Sequence, residues 1–83
     1  MNNSIKVKVY YNDKLSDITQ KDFESVILNE GSLLMYLLKN IFIAHPQIEK
    51  TFPAGKLGFK INGKPSILNI LLLDGDGVEI DGF

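Results

Sequence analysis

The chain of 83 residues has no cysteine and only one histidine. The absence of cysteine excludes disulfide bonds, iron–sulfur clusters and thiolate-bound zinc. All nine basic residues are lysines, so no guanidinium group can contact a phosphate or a base through two parallel hydrogen bonds. The lysines are scattered along the chain and the net charge is −1. We therefore expect no nucleic-acid partner.

The sequence also lacks long apolar runs. Lys39, Asn40 and His45 interrupt the longest one, which leaves it too short to span a bilayer. The first residues, MNNSIKVKVY, have neither the apolar core nor the cleavage site of a signal peptide. We expect a cytoplasmic protein without a membrane partner, and a single domain over residues 1–83. A chain of this size buries only about 60% of the surface that it exposes when unfolded.

The first half of the chain shows two strand patterns and one helical pattern. SIKVKVYY alternates apolar and polar residues, which predicts a half-buried strand, and FESVIL predicts a second, antiparallel strand. The polar stretch between them, NDKLSDITQKD, is predicted to be a loop. NEGSLLMYLLKNIFIAHP predicts a helix that Ser32 caps and Pro46 ends.

The second half predicts short strands joined by tight turns. QIEKTFPAGKL is predicted to be a loop, and GFKINGKPSIL a hairpin with Asn62 and Gly63 in a type I′ turn. DGDGVEI predicts a turn followed by a last strand. A hairpin, one helix and further strands make up the element order of the ubiquitin-like β-grasp fold. We therefore predict an α+β fold in which a mixed sheet of four to five strands packs on one main helix.

The acidic, glycine-rich stretch from Asp74 to Gly77 is the first candidate for a binding site. A calcium loop of the EF-hand type needs oxygen ligands at alternate positions, a glycine at the sixth and a glutamate at the twelfth. Counted from Asp74, the fifth position is Val78 and the sixth is Glu79. A phosphate-binding loop would require a lysine and a following helix. We therefore predict a turn between two strands, with no metal and no cofactor.

No set of residues predicts a catalytic site. His45 precedes the proline that ends the helix, where an imidazole usually interacts with the helix dipole. A serine nucleophile needs a base and a group that orients it, and the strand, loop and cap positions of the serines already explain their presence. We expect that the protein is not an enzyme.

Three segments together resemble the MoaD/ThiS family of small sulfur carriers, and the MoaD side more closely. They are IKVKVYYNDKLSDITQKDFESVIL, in which Gln20 replaces a usual glycine, NEGSLLMYLLKNIFIAHPQI and INGKPSILNILLLDGDGVEI. Each motif is common by itself, and their order and spacing carry the resemblance. The matching positions are Tyr10, Tyr11, Leu15, Glu30, Gly31, Leu34, Leu37, Leu38, Pro46, Asn62, Gly63, Leu68, Leu72, Asp74, Gly75, Asp76, Val78 and Ile80.

The resemblance implies a small subunit of molybdopterin synthase that acts in molybdenum cofactor biosynthesis. Its implied partners are the large subunit of that synthase and an E1-like activating enzyme. The family carries sulfur on a C-terminal Gly-Gly, whereas this chain has Asp81, Gly82 and Phe83. Three interpretations follow: a member that has lost conjugation, a shortened form of an active carrier, or an unusual terminus. A protein-interaction module without conjugation is the alternative function.

The helix and the segment SILNILLL carry more apolar residues than one core can bury. We expect the surplus residues to form a partner surface or a homodimer interface, unless the loop QIEKTFPAGKL covers them or they are exposed singly. On this basis Tyr36→Glu or Ile43→Glu should leave the fold intact and weaken self-association. The predicted surface consists of Met35, Tyr36, Phe42, Ile43, Ile67, Ile70, Leu71 and Leu73.

Overall fold

The computed structural model describes residues 3–83. The elements are β1 (Ser4–Tyr11), α1 (Asp13–Thr19), β2 (Phe23–Asn29), α2 (Leu34–Ala44), α3 (Pro46–Thr51), a 3₁₀ turn (Ala54–Lys56), β3 (Leu57–Ile61), β4 (Lys64–Pro65) and β5 (Gly77–Gly82). None of the helices in this part of the chain has the length and apolar character needed to cross a membrane.

The strands form one mixed sheet in the order β2-β1-β5-β3-β4. β1 and β2 are antiparallel, with Val7 opposite Val26. β5 lies parallel to β1, with Val9 opposite Val78, and antiparallel to β3. The last strand therefore lies beside the first in the middle of the sheet. This topology confirms the predicted α+β fold of the β-grasp type.

The core lies between one face of the sheet and α2. Along β1, Ile5, Val7 and Val9 are buried while the residues between them are exposed, as the alternation predicts. Each of these side chains contributes about 1.5–3 kcal/mol when fully buried. α2 adds four buried residues at helical spacing, which are Leu34, Leu37, Leu38 and Ile41.

The start of α2 differs from the prediction. The N-cap residue is Leu33 rather than Ser32, and it makes no side-chain capping hydrogen bond. The hydroxyl of Ser32 instead donates to the backbone carbonyl of Asn29 at 2.7 Å. Ser32 therefore stabilises the turn that leads from β2 into the helix.

A distant backbone segment caps α2 instead. The N–H of Leu34 donates to the carbonyl of Ile70 at 3.0 Å, and the N–H of Met35 donates to the carbonyl of Leu68 at 2.8 Å. The first N–H groups of a helix have no partner inside the helix. The hydrogen-bond acceptors at the start of α2 are thus backbone carbonyls from residues 66–73, and not the side chain of Ser32 that the sequence predicted.

The end of α2 is as predicted, but the segment after it is not a simple loop. The N–H of His45 closes α2 by donating to the carbonyl of Ile41 at 2.8 Å. Pro46 then begins α3, where a missing N–H has no cost. The prediction of a loop over residues 47–57 was wrong, because α3 and the 3₁₀ turn lie there. Ile48 is fully buried and packs this short helix against the core. A single buried residue makes too weak a pattern for the helix to be predicted from the sequence.

The stretch between β1 and β2 was also wrongly predicted as a loop, since it contains α1. Asn12 caps this helix by accepting the N–H of Leu15 at 3.2 Å. Gln20 ends it in the left-handed conformation, with a φ of 61°. Leu15 is fully buried. A helix of seven residues is too short to show the apolar periodicity on which the prediction relied.

The hairpin of β3 and β4 is confirmed. Asn62 and Gly63 join the two strands with φ angles of 51° and 85°. Two residues with positive φ are typical of a type I′ turn. Asn and Gly are the residues that adopt this backbone conformation at the lowest cost.

Candidate functional site

The acidic stretch is a turn, as predicted. A carboxylate oxygen of Asp74 accepts the N–H of Lys6 at 2.8 Å, and one of Asp76 accepts the N–H of Leu73 at 2.8 Å. The other oxygen of Asp76 accepts the side-chain amide of Asn62 at 3.0 Å. Both carboxylates therefore stabilise the entry into β5. Within the described part of the chain, no three histidine, cysteine, aspartate or glutamate side chains are grouped to hold a metal ion.

His45 lies in a small polar cluster at the C-terminal end of α2. The hydroxyl of Tyr11 donates to Oε2 of Glu24 at 2.5 Å, and Nε2 of His45 lies 3.0 Å from the same oxygen. The imidazole also meets the Tyr11 ring edge-on, with 6.2 Å between the centroids. The cluster thus joins β1, β2 and the end of α2, which agrees with the structural role predicted for His45.

The protonation of this cluster suits a structural role. Burial raises the pKa of the Tyr11 hydroxyl well above its ordinary value, and the hydrogen bond to Glu24 and the charge of Glu24 raise it further. Burial also raises the pKa of Glu24, but the hydrogen bonds from Tyr11 and His45 and the charge of Lys21 outweigh this effect. The pKa of Glu24 is therefore below its ordinary value. At neutral pH Tyr11 is a neutral donor and Glu24 an ionised acceptor.

The residues predicted to form the carrier terminus belong to the folded domain. Asp81 lies opposite Gly58 and Gly82 lies opposite Leu57 in the β3–β5 ladder. The N–H of Phe83 extends this pairing by donating to a carbonyl of the 3₁₀ turn at 3.1 Å. As far as Phe83, the chain therefore follows the sheet.

Side chains from two other segments, the residue that caps α1 and the residue that follows α3, hold this end of β5. The side-chain amide of Asn12 donates to the carbonyl of Gly82 at 3.0 Å, and its oxygen accepts the Gly82 N–H at 3.2 Å. The ring of Phe52 packs so closely that a Cβ on Gly82 would lie 3.1 Å from a ring carbon. The ring of Phe83 covers Gly58, where a Cβ would lie 2.7 Å away. A side chain at Gly82 would require the Phe52 ring to move by a few tenths of an ångström, so close packing favours glycine at this position.

Most of the predicted partner surface is exposed. Phe42 is the exception, since it is half-buried and packs against the core. The most exposed members are Ile43, at 78%, and Ile67, at 68%. The exposed residues are Met35, Tyr36, Ile43, Ile67, Ile70, Leu71 and Leu73.

The structure brings the start of α2 and residues 66–73 together. Leu33, which the sequence analysis did not select, forms an antiparallel bridge with Leu71 and is itself 36% exposed. This bridge adds to the two hydrogen bonds that cap α2. We call the resulting apolar area the helix-start surface. It comprises Leu33, Met35, Tyr36, Ile67, Ile70, Leu71 and Leu73.

Two open cavities give the helix-start surface its shape. One, of about 390 Å³, is lined in part by Met35 and Tyr36, and the other, of about 340 Å³, by Leu71 and Leu73. Both are also lined by residues 30 and 31, so they adjoin each other. The helix-start surface is therefore an apolar area that contains two open cavities.

Ile43 lies apart from this surface. It follows Tyr36 by two helical turns, which is about 10 Å along the helix axis. With Phe42 it lines another cavity, of about 230 Å³, which shares only Lys39 with the cavity lined by Met35 and Tyr36. The predicted surface is thus divided into a larger region at the start of α2 and a smaller region near its end.

A second apolar area, which the sequence patterns did not predict, lies on the outer face of the sheet. Tyr10, Phe23 and Ile27 are exposed there by 40%, 51% and 69%. The Tyr10 and Phe23 rings lie 6.1 Å apart, and the ammonium group of Lys8 lies 4.2 Å from the Phe23 centroid. FESVIL has apolar residues on both faces of the strand, so alternation alone does not tell which face is buried.

The fold defines the class of protein. A mixed sheet with two parallel central strands, wrapped on one main helix, is the ubiquitin-like β-grasp architecture.

Solved structures narrow this class. The chain is similar to the putative molybdopterin converting factor, subunit 1, from Pyrococcus furiosus, with 26% identity over 94% of this chain and 97% of that chain and a TM-score of 0.85. Small archaeal modifier protein 1 from Haloferax volcanii matches with 15% identity, 94% and 97% coverage and a TM-score of 0.83. Small archaeal modifier protein 1 from Methanosarcina acetivorans matches with 20% identity over 96% of this chain and 94% of that chain, and with a TM-score of 0.77. In structure, the chain is a MoaD-like and modifier-like β-grasp protein, which confirms the predicted resemblance. No protein-family model and no curated protein matches the sequence.

Proposed function

We propose that this chain is a MoaD-like sulfur carrier protein of molybdenum cofactor biosynthesis, without a catalytic site of its own. The observation that carries the proposal is the match to the putative molybdopterin converting factor subunit, which covers nearly all of both chains. The topology supports it, because β5 lies between β1 and β3 with its C-terminal end reaching the rim of the sheet. A carrier delivers its C-terminal carboxylate from that position.

The partners that we propose are a subunit similar to the large subunit of molybdopterin synthase and an E1-like activating enzyme. The helix-start surface is the docking area that we assign to such a partner. Exposed apolar residues around open cavities support this assignment, since partner interfaces concentrate their affinity in apolar side chains that fill pockets. Its central members are Met35 and Tyr36, at 46% and 49% exposure.

The carrier role is tested on the C-terminus of the natively expressed protein. The protein is incubated with an activating enzyme, ATP and a sulfur donor, and its C-terminal peptide is analysed by mass spectrometry. We expect replacement of one carboxylate oxygen by sulfur. The matched control omits ATP and should leave the carboxylate unchanged. A C-terminus that stays unmodified in the complete reaction contradicts the carrier role.

One observation favours a second function, that of a protein-interaction module without conjugation. Gly82 and Phe83 are held by Asn12, Phe52 and the 3₁₀ turn, so these two residues do not form the flexible Gly-Gly arm that the family resemblance implies. The same experiment separates the two functions. An unmodified C-terminus together with a tight complex with the large subunit supports the interaction module.

A further inference from the structure

The two edges of the sheet are unequal. β4 forms one edge and consists of two residues, of which Pro65 has no N–H to donate. β2 forms the other edge and is seven residues long. Short edge strands and prolines are common protections against pairing with another chain, whereas a long edge strand with exposed apolar residues invites it. The edge at β2 is therefore the one that is open to a partner.

The register of β1 and β2 shows which backbone groups of β2 face outward. The N–H of Tyr11 donates to the carbonyl of Asp22, and the N–H of Glu30 donates to the carbonyl of Asn3. Both bonds continue the same antiparallel register, in which every second pair exchanges hydrogen bonds. The even-numbered residues of β2 thus bond to β1. The backbone groups that point away from the sheet are those of Phe23, Ser25 and Ile27.

These outward groups have no partner in the described part of the chain. Apart from β1, no strand pairs with β2, and no side chain or loop donates to or accepts from the backbone of Phe23, Ser25 or Ile27. Phe23 and Ile27 are also 51% and 69% exposed. Backbone donors and acceptors therefore alternate along this edge between two large apolar side chains.

We propose that β2 pairs antiparallel with β2 of a second copy of this chain, about a two-fold axis at Ser25. Phe23 of each copy then lies opposite Ile27 of the other, and Ser25 lies opposite Ser25. Aromatic side chains opposite β-branched ones are among the favourable cross-strand pairs. The two sheets become one continuous sheet, and the hydrogen bonds between the copies use the outward groups of Phe23, Ser25 and Ile27.

The alternative registers are less favourable. A two-fold axis at Glu24 places the two Glu24 carboxylates directly opposite each other, and like charges in that position are destabilising. An axis at Val26 places Phe23 opposite Asn29 and leaves its ring without an apolar partner. A register shifted by one residue is also unfavourable. It would place the outward N–H and C=O groups of one copy opposite residues of the other copy whose backbone groups already bond to β1. Only the axis at Ser25 pairs both exposed apolar residues.

The charges on the outer face are compatible with this pairing. Lys8 is the neighbour of Ser25 on β1, so the two Lys8 residues lie three strand spacings apart across the axis, or about 14 Å. That distance exceeds the Debye length of about 8 Å at physiological ionic strength. The repulsion between them is therefore largely screened.

The size of the contact indicates a weak dimer. Seven residues span about 24 Å, and a strip of that length and about 10 Å thickness covers about 240 Å² per chain. Stable interfaces bury about 800 Å² per partner. We therefore expect an equilibrium between monomer and dimer that shifts with concentration in the micromolar to millimolar range.

Sedimentation velocity of the full chain over this range tests the proposal. Wild type should sediment faster as concentration rises. Ser25→Pro should remain monomeric, because it removes an outward N–H and leaves the bonds to β1 in place. Circular dichroism checks that this variant is folded, and Phe23→Lys with Ile27→Lys serves as a second edge variant if it is not. Tyr36→Glu, on the helix-start surface, is the matched control. It should dimerise like wild type if the copies pair through β2, whereas the homodimer interface on the helix that the apolar surplus predicted would make it weaken self-association.

Two results would overturn the proposal. One is a wild-type chain that stays monomeric at every concentration. The other is a dimer that the folded edge variants leave unchanged while Tyr36→Glu abolishes it, which would place the interface on the helix. Neither measurement depends on carrier activity, so failure here is distinguishable from failure of the proposed function.

Cross-linking tests the register. Because the chain has no cysteine, a single introduced thiol reports one contact. Ser25→Cys places two thiols opposite each other, with Cα atoms about 5.5 Å apart, which is within the range of a disulfide. We expect mild oxidation to link this variant as a dimer far faster than the control Ile43→Cys, on the exposed end of α2. Equal rates for the two variants would rule out the axis at Ser25.

Discussion

Glu24, on β2, connects to β1 and to the residue after α2 through one side chain. Its carboxylate accepts the Tyr11 hydroxyl from β1 and lies 3.0 Å from the His45 ring that follows α2. Lys21, at 3.8 Å, adds an ion pair within the same turn. The two hydrogen bonds to this charged carboxylate stabilise the fold more than the exposed ion pair with Lys21 does. Glu24 therefore fixes the end of α2 against the sheet.

The pKa of Glu24 predicts how stability depends on pH. Because this pKa is lower in the folded chain than its ordinary value of 4.5, the contribution is present at neutral pH and is lost as the pH falls below about 4.5. We expect Glu24→Gln to lose less stability than wild type between about pH 6 and about pH 3. Urea unfolding at each pH measures the difference, which should be on the order of 1 kcal/mol since the group is partly exposed.

Glu30→Gln is the control for this measurement. Glu30 is exposed, and no described side chain donates to it, so the variant should follow the wild-type pH profile. A Glu24→Gln profile that also coincides with wild type would mean that the cluster does not stabilise the fold.

At the scale of elements, α1 does more than connect two strands. Leu15 is one of the fully buried side chains, and Asn12 joins the cap of α1 to Gly82 at the end of β5. One asparagine therefore completes a helix and holds the last strand.

Asn12→Ala should loosen the end of β5. We expect a loss of about 1–2 kcal/mol in unfolding free energy, because the cap and the two bonds to Gly82 disappear together. Amide hydrogen exchange at Gly82 and Phe83 should also become faster than in wild type. Ser16→Ala, which alters α1 without touching Gly82, is the control. Unchanged exchange in Asn12→Ala would show that Phe52 and the backbone hold this end alone.

Leu15→Ala tests whether α1 belongs to the core. Its side chain is 0% exposed, and replacing a buried leucine with alanine costs about 2–5 kcal/mol through lost burial and a cavity. Ile18→Ala, at a half-buried position of the same helix, should cost clearly less. Denaturant unfolding compares the two variants. Equal costs would mean that α1 packs more loosely than the burial of Leu15 indicates.

At the scale of the whole molecule, two apolar areas face different directions. The helix-start surface lies where α2 meets residues 66–73, and the outer-face area lies on β1 and β2 next to an open sheet edge. We assign the first to a larger enzyme subunit and the second to a second copy. A protein with separate areas can bind both at once, because neither assignment uses residues of the other.

Tyr36→Glu should separate folding from partner binding. Tyr36 is 49% exposed, so the substitution should change the free energy of unfolding by no more than about 0.5 kcal/mol. Binding to the large subunit, measured by calorimetry, should weaken by roughly tenfold or more, since a charge would enter an apolar interface. Ile43→Glu, in the separate region near the end of α2, is the control and should bind nearly as wild type does. Equal affinities for all three proteins would remove the helix-start surface from the interface.

The sequence by itself determined the features that depend on neighbouring residues. The alternation of Ile5, Val7 and Val9 specified β1, helical spacing specified α2, and Asn62 with Gly63 specified the hairpin turn. These patterns are local because a strand period, a helix period and a positive φ angle arise within a few residues. The order of the elements then sufficed to predict the α+β fold and its mixed sheet.

Tertiary structure alone decided the rest. The acceptors that cap α2 come from Leu68 and Ile70, more than thirty residues along the chain, and Asn12 meets Gly82 across 70 residues. Whether the apolar residues of β2 face the core or solvent was settled by its register with β1. Contacts between distant segments depend on how whole elements pack, and no periodicity within one segment records them. The candidate surfaces were therefore only partly visible in the sequence, which showed a surplus of apolar residues but not where they meet.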